Sequence, residues 1–281
     1  VRRESADVLS WTGVTVSGRT LNNLRYADDI VLIATSAKSL QRLLDKMTVV
    51  SMEYGLEVST RKTKVMVTTQ ATCQHRFTCN GDTLEQVDSF RYLGAIINST
   101  GDCTKEIRSR LGIARSVIAS LSNLWKDRSL SKEMKLRLMS ALVWPVACYG
   151  CESWTLKAVD RKRISGFEMT AYRRMLRISW KDHRTNQSIL DDLDTPRRLL
   201  ADIQRRKLQY FGHLIRADHL STFLLHGRID GTRGRGRPRR RWTDDIKEWT
   251  GLTVAECVRR AQDRSVWRAM VSLIPAVDPQ K

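Results

Sequence analysis

The chain has 281 residues, 41% of them hydrophobic, with 49 Lys and Arg against 30 Asp and Glu, a net charge of +19 and a pI near 10.2. That length supports a sizeable core in one large domain or two modest ones. A mean hydropathy of −0.38 and the lack of an apolar run of about 18 residues argue against a membrane span, while the charge points to a polyanionic partner, nucleic acid ahead of an acidic membrane surface.

The excess is uneven: residues 1–140 carry 21 basic and 14 acidic residues and residues 141–281 carry 28 and 16, so +7 is followed by +12. The second half is the expected electrostatic grip. The polar opening "VRRESADVLS" does not read as a signal peptide, and a first residue of Val is expected of a fragment or a processed product. Six cysteines without a secretory signal are expected to be reduced thiols. A nuclear or cytoplasmic protein, neither secreted nor membrane-bound, is the expectation.

In chain order, residues 14–25 contain the turn formers Gly18, Asn22 and Asn23 and lead into "NLRY". Two aspartates, Asp28 and Asp29, precede the β-branched run "IVLIAT", which predicts strand, tight turn, strand. Ser36 is a predicted N-cap. Leu40, Leu43, Leu44, Met47 and Val50 follow at helical spacing, and Gly55 is the predicted stop. "LEVS" and "KVMVTT" predict short strands around "TRKTK", and "FRYLGAII", residues 90–97, predicts another. After Gly101 the period becomes helical. Ile107, Leu111, Ala114, Ile118, Leu121 and Trp125 predict one face of a helix from about Thr104. A second helix is predicted from Ser131 to Val143, ending before Pro145. Thr195 and Pro196 predict the start of a helix through Leu199, Ile203, Leu208, Phe211 and Leu214. Thr253 and Glu256 make a capping box. "GTRGRGRPRRRW", residues 231–242, holds six arginines, three glycines and one proline, and predicts an extended basic linker.

Two adjacent carboxylates on a hairpin repel one another unless a divalent cation neutralises them. Mg²⁺ takes carboxylate oxygens and bridges to phosphates, and a two-metal site clamps the attacking and leaving oxygens of a phosphoryl transfer. On spacing alone, a solvated Asp-rich turn stands beside that reading. The flanking residues decide between them. "YADD", Tyr26-Ala27-Asp28-Asp29, between apolar strands resembles the palm motif of reverse transcriptases. "GLEVSTRKTKVM" resembles the next palm motif, a turn carrying a lysine. "FRYLGAII" resembles the primer-grip motif of non-LTR (LINE-type) retrotransposon polymerases. "YGCESWTL", "RRKLQYFGHLIR" and "GRGRPRRRWTDDI" resemble the C-terminal region of RTE-like endonuclease–reverse transcriptases.

The resemblance implies an α+β fold: a partial reverse-transcriptase palm over 1–101, a helical thumb-like region over 102–147, a helical C-terminal domain over 148–230, the basic linker over 231–242 and C-terminal helices over 243–281. It implies that Asp28 is a principal ligand of catalytic Mg²⁺ (or Mn²⁺) and that Asp29 supports it. Lys62 would stabilise or protonate the pyrophosphate leaving group. Tyr26 and Ala27 would lie near the primer terminus, and Tyr92, Leu93 and Gly94 would shape the primer grip. Where relatives often carry Asn, this chain has Ser59. The implied partners are element RNA template and target DNA, with dNTP as substrate of the complete enzyme. The palm also needs an aspartate upstream of YADD and a fingers subdomain, and 27 residues precede Asp28. The chain by itself is therefore expected to be inactive, or else to be a non-catalytic nucleic-acid-binding derivative of such an element.

"RGRP", Arg235 to Pro238, resembles the core of an AT-hook, whose thin cationic strand suits a narrow minor groove. Beside that stands a generic basic linker. Either reading puts Arg233, Arg235, Arg237, Arg239, Arg240 and Arg241 against nucleic acid. On the thumb-like helix Lys105, Arg108, Arg110 and Arg115 are expected to face phosphates. Cys148 and Cys151 form C-x-x-C, but His213 and His219 lie too far along to favour zinc, and buried thiols are expected. Trp125, Trp144 and Trp267 are expected in the core. Trp242 either stacks on a base or packs at the start of the next helix, the second being preferred.

Overall fold

The computed structural model describes residues 13–16, 18–68, 75–217, 225 and 239–273. They divide into two compact units, one ending at Gly101 and the other built from Asp102–Ala217 and 239–273.

The first unit is a set of small strand pairs around one helix. The strands are β1 (Val14–Val16), β2 (Arg19–Leu21), β3 (Asn23–Tyr26) and β4 (Asp29–Leu32). β1 pairs antiparallel with β2, and β3 with β4. Helix α1 (Ala37–Glu53) begins where the Ser36 hydroxyl accepts from the Ser39 amide. It ends as the sequence predicts. Gly55 adopts a φ of +71°, its amide donates to Met52 O at 3.0 Å, and the Leu56 amide donates to Ser51 O at 2.9 Å. This is a Schellman motif, and only glycine adopts its left-handed turn at no steric cost.

Two expected strands shorten. "LEVS" carries no strand, and "KVMVTT" contributes only β5 (Lys64–Val65), which runs parallel to β8 (Glu85–Gln86). Between them β6 (Thr78–Cys79) and β7 (Asp82–Thr83) close over Asn80-Gly81, both at positive φ. "FRYLGAII" is not one strand. Leu93 and Gly94 turn it into the hairpin β9 (Ser89–Tyr92) and β10 (Ala95–Asn98). Leu44, Val65, Phe77, Cys79 and Leu84 form the core of this unit, with Leu32, Ala37, Leu40 and Val58 packed against it.

The second unit is helical. Helix α2 (Thr104–Ser120) buries Ile107, Leu111, Ala114 and Ile118 as the period predicts. It stops at Leu121, and Trp125 lies on a separate short helix, α3 (Ser122–Lys126), its indole donating to Ile118 O at 2.8 Å. Helix α4 (Lys132–Leu138) does not end before Pro145. A π-helical turn over Met139–Val143 carries it into α5 (Trp144–Ala147). There the Trp144 amide reaches five residues back to Met139 O. The wider turn relieves the clash between a proline ring and the carbonyl four residues earlier. Cys148 and Cys151 are buried in the turn that follows, and the five described cysteines are free thiols.

Helix α6 (Ala158–Leu176) and the short α7 (Asn186–Asp192) precede α8 (Leu199–Arg216). The start predicted at Thr195-Pro196 falls three residues early, because the cap comes from elsewhere. The buried Glu168 of α6 accepts on Oε1 from the amides of Arg198 at 2.7 Å and Leu199 at 3.0 Å. Helices α9 (Trp242–Thr250), α10 (Val254–Gln262) and α11 (Arg264–Leu273) complete the unit, with α10 and α11 against α8. The capping box of Thr253 and Glu256 is present. Trp125, Trp144 and Trp267 are core residues, as expected. Among the described residues no helix is long and apolar enough to cross a membrane.

Candidate active site

Strands β3 and β4 are joined by the two residues Ala27 and Asp28. The register pairs Tyr26 with Asp29, Arg25 with Ile30, Leu24 with Val31 and Asn23 with Leu32. Alternate side chains in a strand share a face, and directly paired residues share it across the ladder. Asp29 and Tyr26 therefore stand with Leu24 and Val31, opposite the face on which Leu32 reaches the core. Asp28 and Asp29 are exposed, and Tyr26 is 65% exposed. Ala27 has a φ of +51°, a left-handed conformation that costs a side-chain-bearing residue about 1–2 kcal/mol. The short loop holds the acidic tip against that cost.

Carboxylates are hard oxygen donors suited to Mg²⁺. They are also few here: among the described residues no group of three or more His, Cys, Asp or Glu side chains could hold a metal. The pair fits one side of a divalent-metal site. The rest of the coordination sphere falls to water, to substrate phosphates or to donors beyond the described residues.

Lys62 is exposed on the turn after Val58. That turn is organised by the Ser59 carbonyl, which accepts from the amides of Lys62 at 3.1 Å and Thr63 at 2.9 Å and from the Thr63 hydroxyl at 2.8 Å. The acceptor in each is the Ser59 backbone carbonyl, so the turn does not depend on an amide side chain at position 59. Val58 and Val65 flank it, and both belong to the same small core as Leu32. That core thus fixes both the acidic hairpin and the lysine turn.

At the third predicted motif Leu93 and Gly94 occupy the turn, at φ of +47° and +80°. Positive φ at both positions is the type I′ pattern, which favours Asn-Gly. Phe90, Tyr92, Ala95 and Ile97 share one face of this hairpin by register. Phe90 and Ile97 on that face are exposed, as is Leu93 at the turn.

The arginines divide. Arg233, Arg235 and Arg237 lie outside the described residues, with the rest of the linker up to Pro238. Arg239 and Arg241 are exposed. Arg240 is tied into the second unit: its Nε donates to Asp245 Oδ1 at 2.7 Å, and it pairs with Glu248. On α2, Arg110 is likewise engaged, with Glu106 at 2.6 Å and over the Tyr149 ring at 4.2 Å. Lys105, Arg108 and Arg115 remain exposed. Trp242 packs: its indole donates to Glu152 O at 2.8 Å and its ring stacks on Phe211.

Sequence reasoning missed a buried ionic cluster. Lys207, fully buried on α8, donates to Asp245 Oδ2 at 2.5 Å and Trp154 O at 2.6 Å, and lies over the rings of Trp242 and Trp249. Asp245 also accepts from the Leu156 amide at 3.0 Å. Arg161 grips Glu248 with both terminal nitrogens. Burial pulls the Lys207 ammonium down to about 8, against the opposing pull of Asp245. Hydrogen bonding to Arg161, then Arg240, holds the Glu248 carboxyl at about 2. The partners are 38 and 87 residues apart, and no local pattern signals such pairs. The cluster ties α6, α8 and α9 together.

The reverse transcriptase (RNA-dependent DNA polymerase) family matches residues 9–97, the segment that holds the acidic hairpin, the lysine turn and nearly all of the β9–β10 hairpin. A transposon-derived protein of Caenorhabditis elegans is 30% identical over 274 residues, covering 91% of this chain and 97% of the relative. The chain belongs to the reverse transcriptase family of transposable elements. No solved structure matches it.

Proposed function

We propose that this chain carries the YADD half of the nucleotidyl-transfer centre of a non-LTR, RTE-like retrotransposon reverse transcriptase, together with its basic C-terminal region. The observation that carries the reading is the exposed carboxylate pair of Asp28 and Asp29 at the end of a two-residue hairpin, turned off the core. Asp28 is the principal metal ligand and Asp29 its support. A divalent cation held there neutralises phosphate charge during nucleotidyl transfer. Tyr26 and Ala27 face the primer terminus, and Lys62 steadies the departing pyrophosphate. Tyr92, Leu93 and Gly94, with the exposed apolar face of their hairpin, hold the primer strand. Element RNA and target DNA are the partners, and the protein acts in the nucleus or cytoplasm. Among the described residues no third carboxylate joins the pair, and on this reading the chain by itself does not extend a primer. That shortfall also supports a second reading, a nucleic-acid-binding protein derived from such an element.

Two measurements test this. Mn²⁺ added to the labelled protein should broaden the amide resonances of residues 26–30 first, and Asp28→Asn should abolish that broadening. Equal broadening in the variant removes Asp28 from the metal site. In a primer-extension assay with Mg²⁺ the chain should give no product, and extension abolished by Asp28→Ala would overturn its inactivity.

A further inference from the structure

We propose a phosphate-binding groove on α6 of the second unit, remote in sequence from the YADD hairpin, that takes the backbone of a nucleic-acid strand. Lys162, Ser165, Gly166 and Arg173 line a cavity of about 510 Å³, closed on its other side by Asn186 and Arg197. On α6 the spacing of these four places them along one helix face. Among the described residues the groove presents three cations and no acidic lining residue. Lys162 is exposed at the rim, while Arg173, Asn186 and Arg197 are half-buried.

Ser165 supplies the second observation. It is 6% exposed, and among the described residues its Oγ has no hydrogen-bond partner. A buried hydroxyl left without a partner is costly. A serine on a helix can escape that cost by bonding the carbonyl four residues back. Thr170, on the same helix, does so, to Gly166 O at 2.8 Å. Ser165 instead lines the groove with Arg173 and Arg197, and its Oγ is a buried donor without an acceptor among the described residues. Asn186 adds an amide. Gly166 keeps the floor open: a Cβ built there meets nothing within 4 Å. Arg173 is oriented by donating to Arg184 O at 3.1 Å. Glu168, the acid on the same stretch of α6, is fully buried and spends Oε1 on the start of α8.

A strand is favoured over a free phosphate because Arg197 also lines a second cavity, of about 450 Å³, with Arg198 and Arg205. Two grooves meeting at one arginine give successive phosphates a path. The second contains Asp194 and Asp202 as well, so the first provides the principal grip on the anion. The site stands on its own geometry. The nucleic-acid reading of the protein enters only in naming the polymer.

The test uses the full chain, fluorescein-labelled 20-residue oligo(dT) and oligo(U), and inorganic phosphate. Lys162→Gln with Arg197→Gln should weaken oligonucleotide binding at least about tenfold and flatten the log–log salt slope by about 0.7 for each phosphate no longer neutralised. Phosphate, compared with chloride at equal ionic strength, should raise the melting temperature of the wild type and not that of Ser165→Ala. Gly166→Leu, which fills the groove without a built-in clash, should lose both effects while near-ultraviolet circular dichroism stays native. Unchanged oligonucleotide affinity in the folded double variant overturns the proposal. If inorganic phosphate still stabilises the wild type alone in that case, the groove serves a free phosphate and the strand is wrong. Asp28→Asn should change none of these readouts, so failure at the hairpin and failure at the groove are distinguishable.

Discussion

Among the described residues Leu93 is the one whose conformation least suits its chemistry. A γ-branched side chain at a φ of +47°, in the first position of a turn that favours Asn-Gly, is held there against local preference. Strain of this sort points to function rather than follows from it. Leu93→Asn should raise the stability of the first unit by about 1 kcal/mol, since Asn tolerates the left-handed region; urea titration reads this. If Leu93 serves the primer grip, the same variant should lose affinity for a primer–template duplex while gaining stability. A variant that gains stability and keeps its affinity shows the leucine to be incidental.

At the scale of elements, caps separate what is local from what is not. Ser36 and Thr253 cap their own helices, so neighbouring residues reveal them. Helix α8 is capped by Glu168, 30 residues upstream of Arg198. Oε1 of that carboxylate takes three hydrogen bonds, the third from the Tyr172 hydroxyl at 3.0 Å, and burial pushes its pKa up. Glu168→Ala removes a cap and strands buried amides, and should cost about 3 kcal/mol. Glu168→Gln keeps the acceptor oxygen and should cost less than half of that by thermal unfolding. Equal losses would show that charge, rather than the acceptor, starts α8. The strand pair over Asn80-Gly81 is the opposite case, since that dipeptide is a strong local hairpin signal, overlooked because the strands on either side of it are only two residues long.

At the scale of the whole molecule, charge sets the response to acid and salt. Glu248 is held at about 2 in the fold, against an ordinary value of 4.5. A carboxylate with a depressed folded pKa contributes stability above its unfolded pKa and loses it as pH falls towards the folded value. The second unit should therefore weaken between about pH 5 and pH 2, and Glu248→Gln should flatten that part of the curve. A variant whose acid profile matches the wild type would place the acid lability elsewhere. The arginine-rich segment should behave as two parts. Arg233→Gln, Arg235→Gln and Arg237→Gln should lower the salt slope for duplex DNA by about 0.9 for each phosphate left without its arginine. Arg240→Gln should instead lower the melting temperature, because its guanidinium serves Asp245 and Glu248. An unchanged salt slope in the triple variant would remove those three arginines from the DNA interface.

The acidic hairpin, the first helix with both its ends, the buried face of α2 and the last capping box could be read directly, because each depends on residues within a few positions of one another. Period and turn chemistry are properties of neighbours, and the chain carries them wherever it folds. "FRYLGAII" misled because its apolar run hid a turn, and Pro145 because a π-turn absorbed it. The start of α8, the stacking of Arg110 on Tyr149 and the burial of Lys207 beside Asp245 were decided only by packing, whereas the Arg110–Glu106 pair is a local contact one helical turn apart. Most of their partners lie on other elements, and burial makes such pairs costly to break only once the helices have met and shut out water.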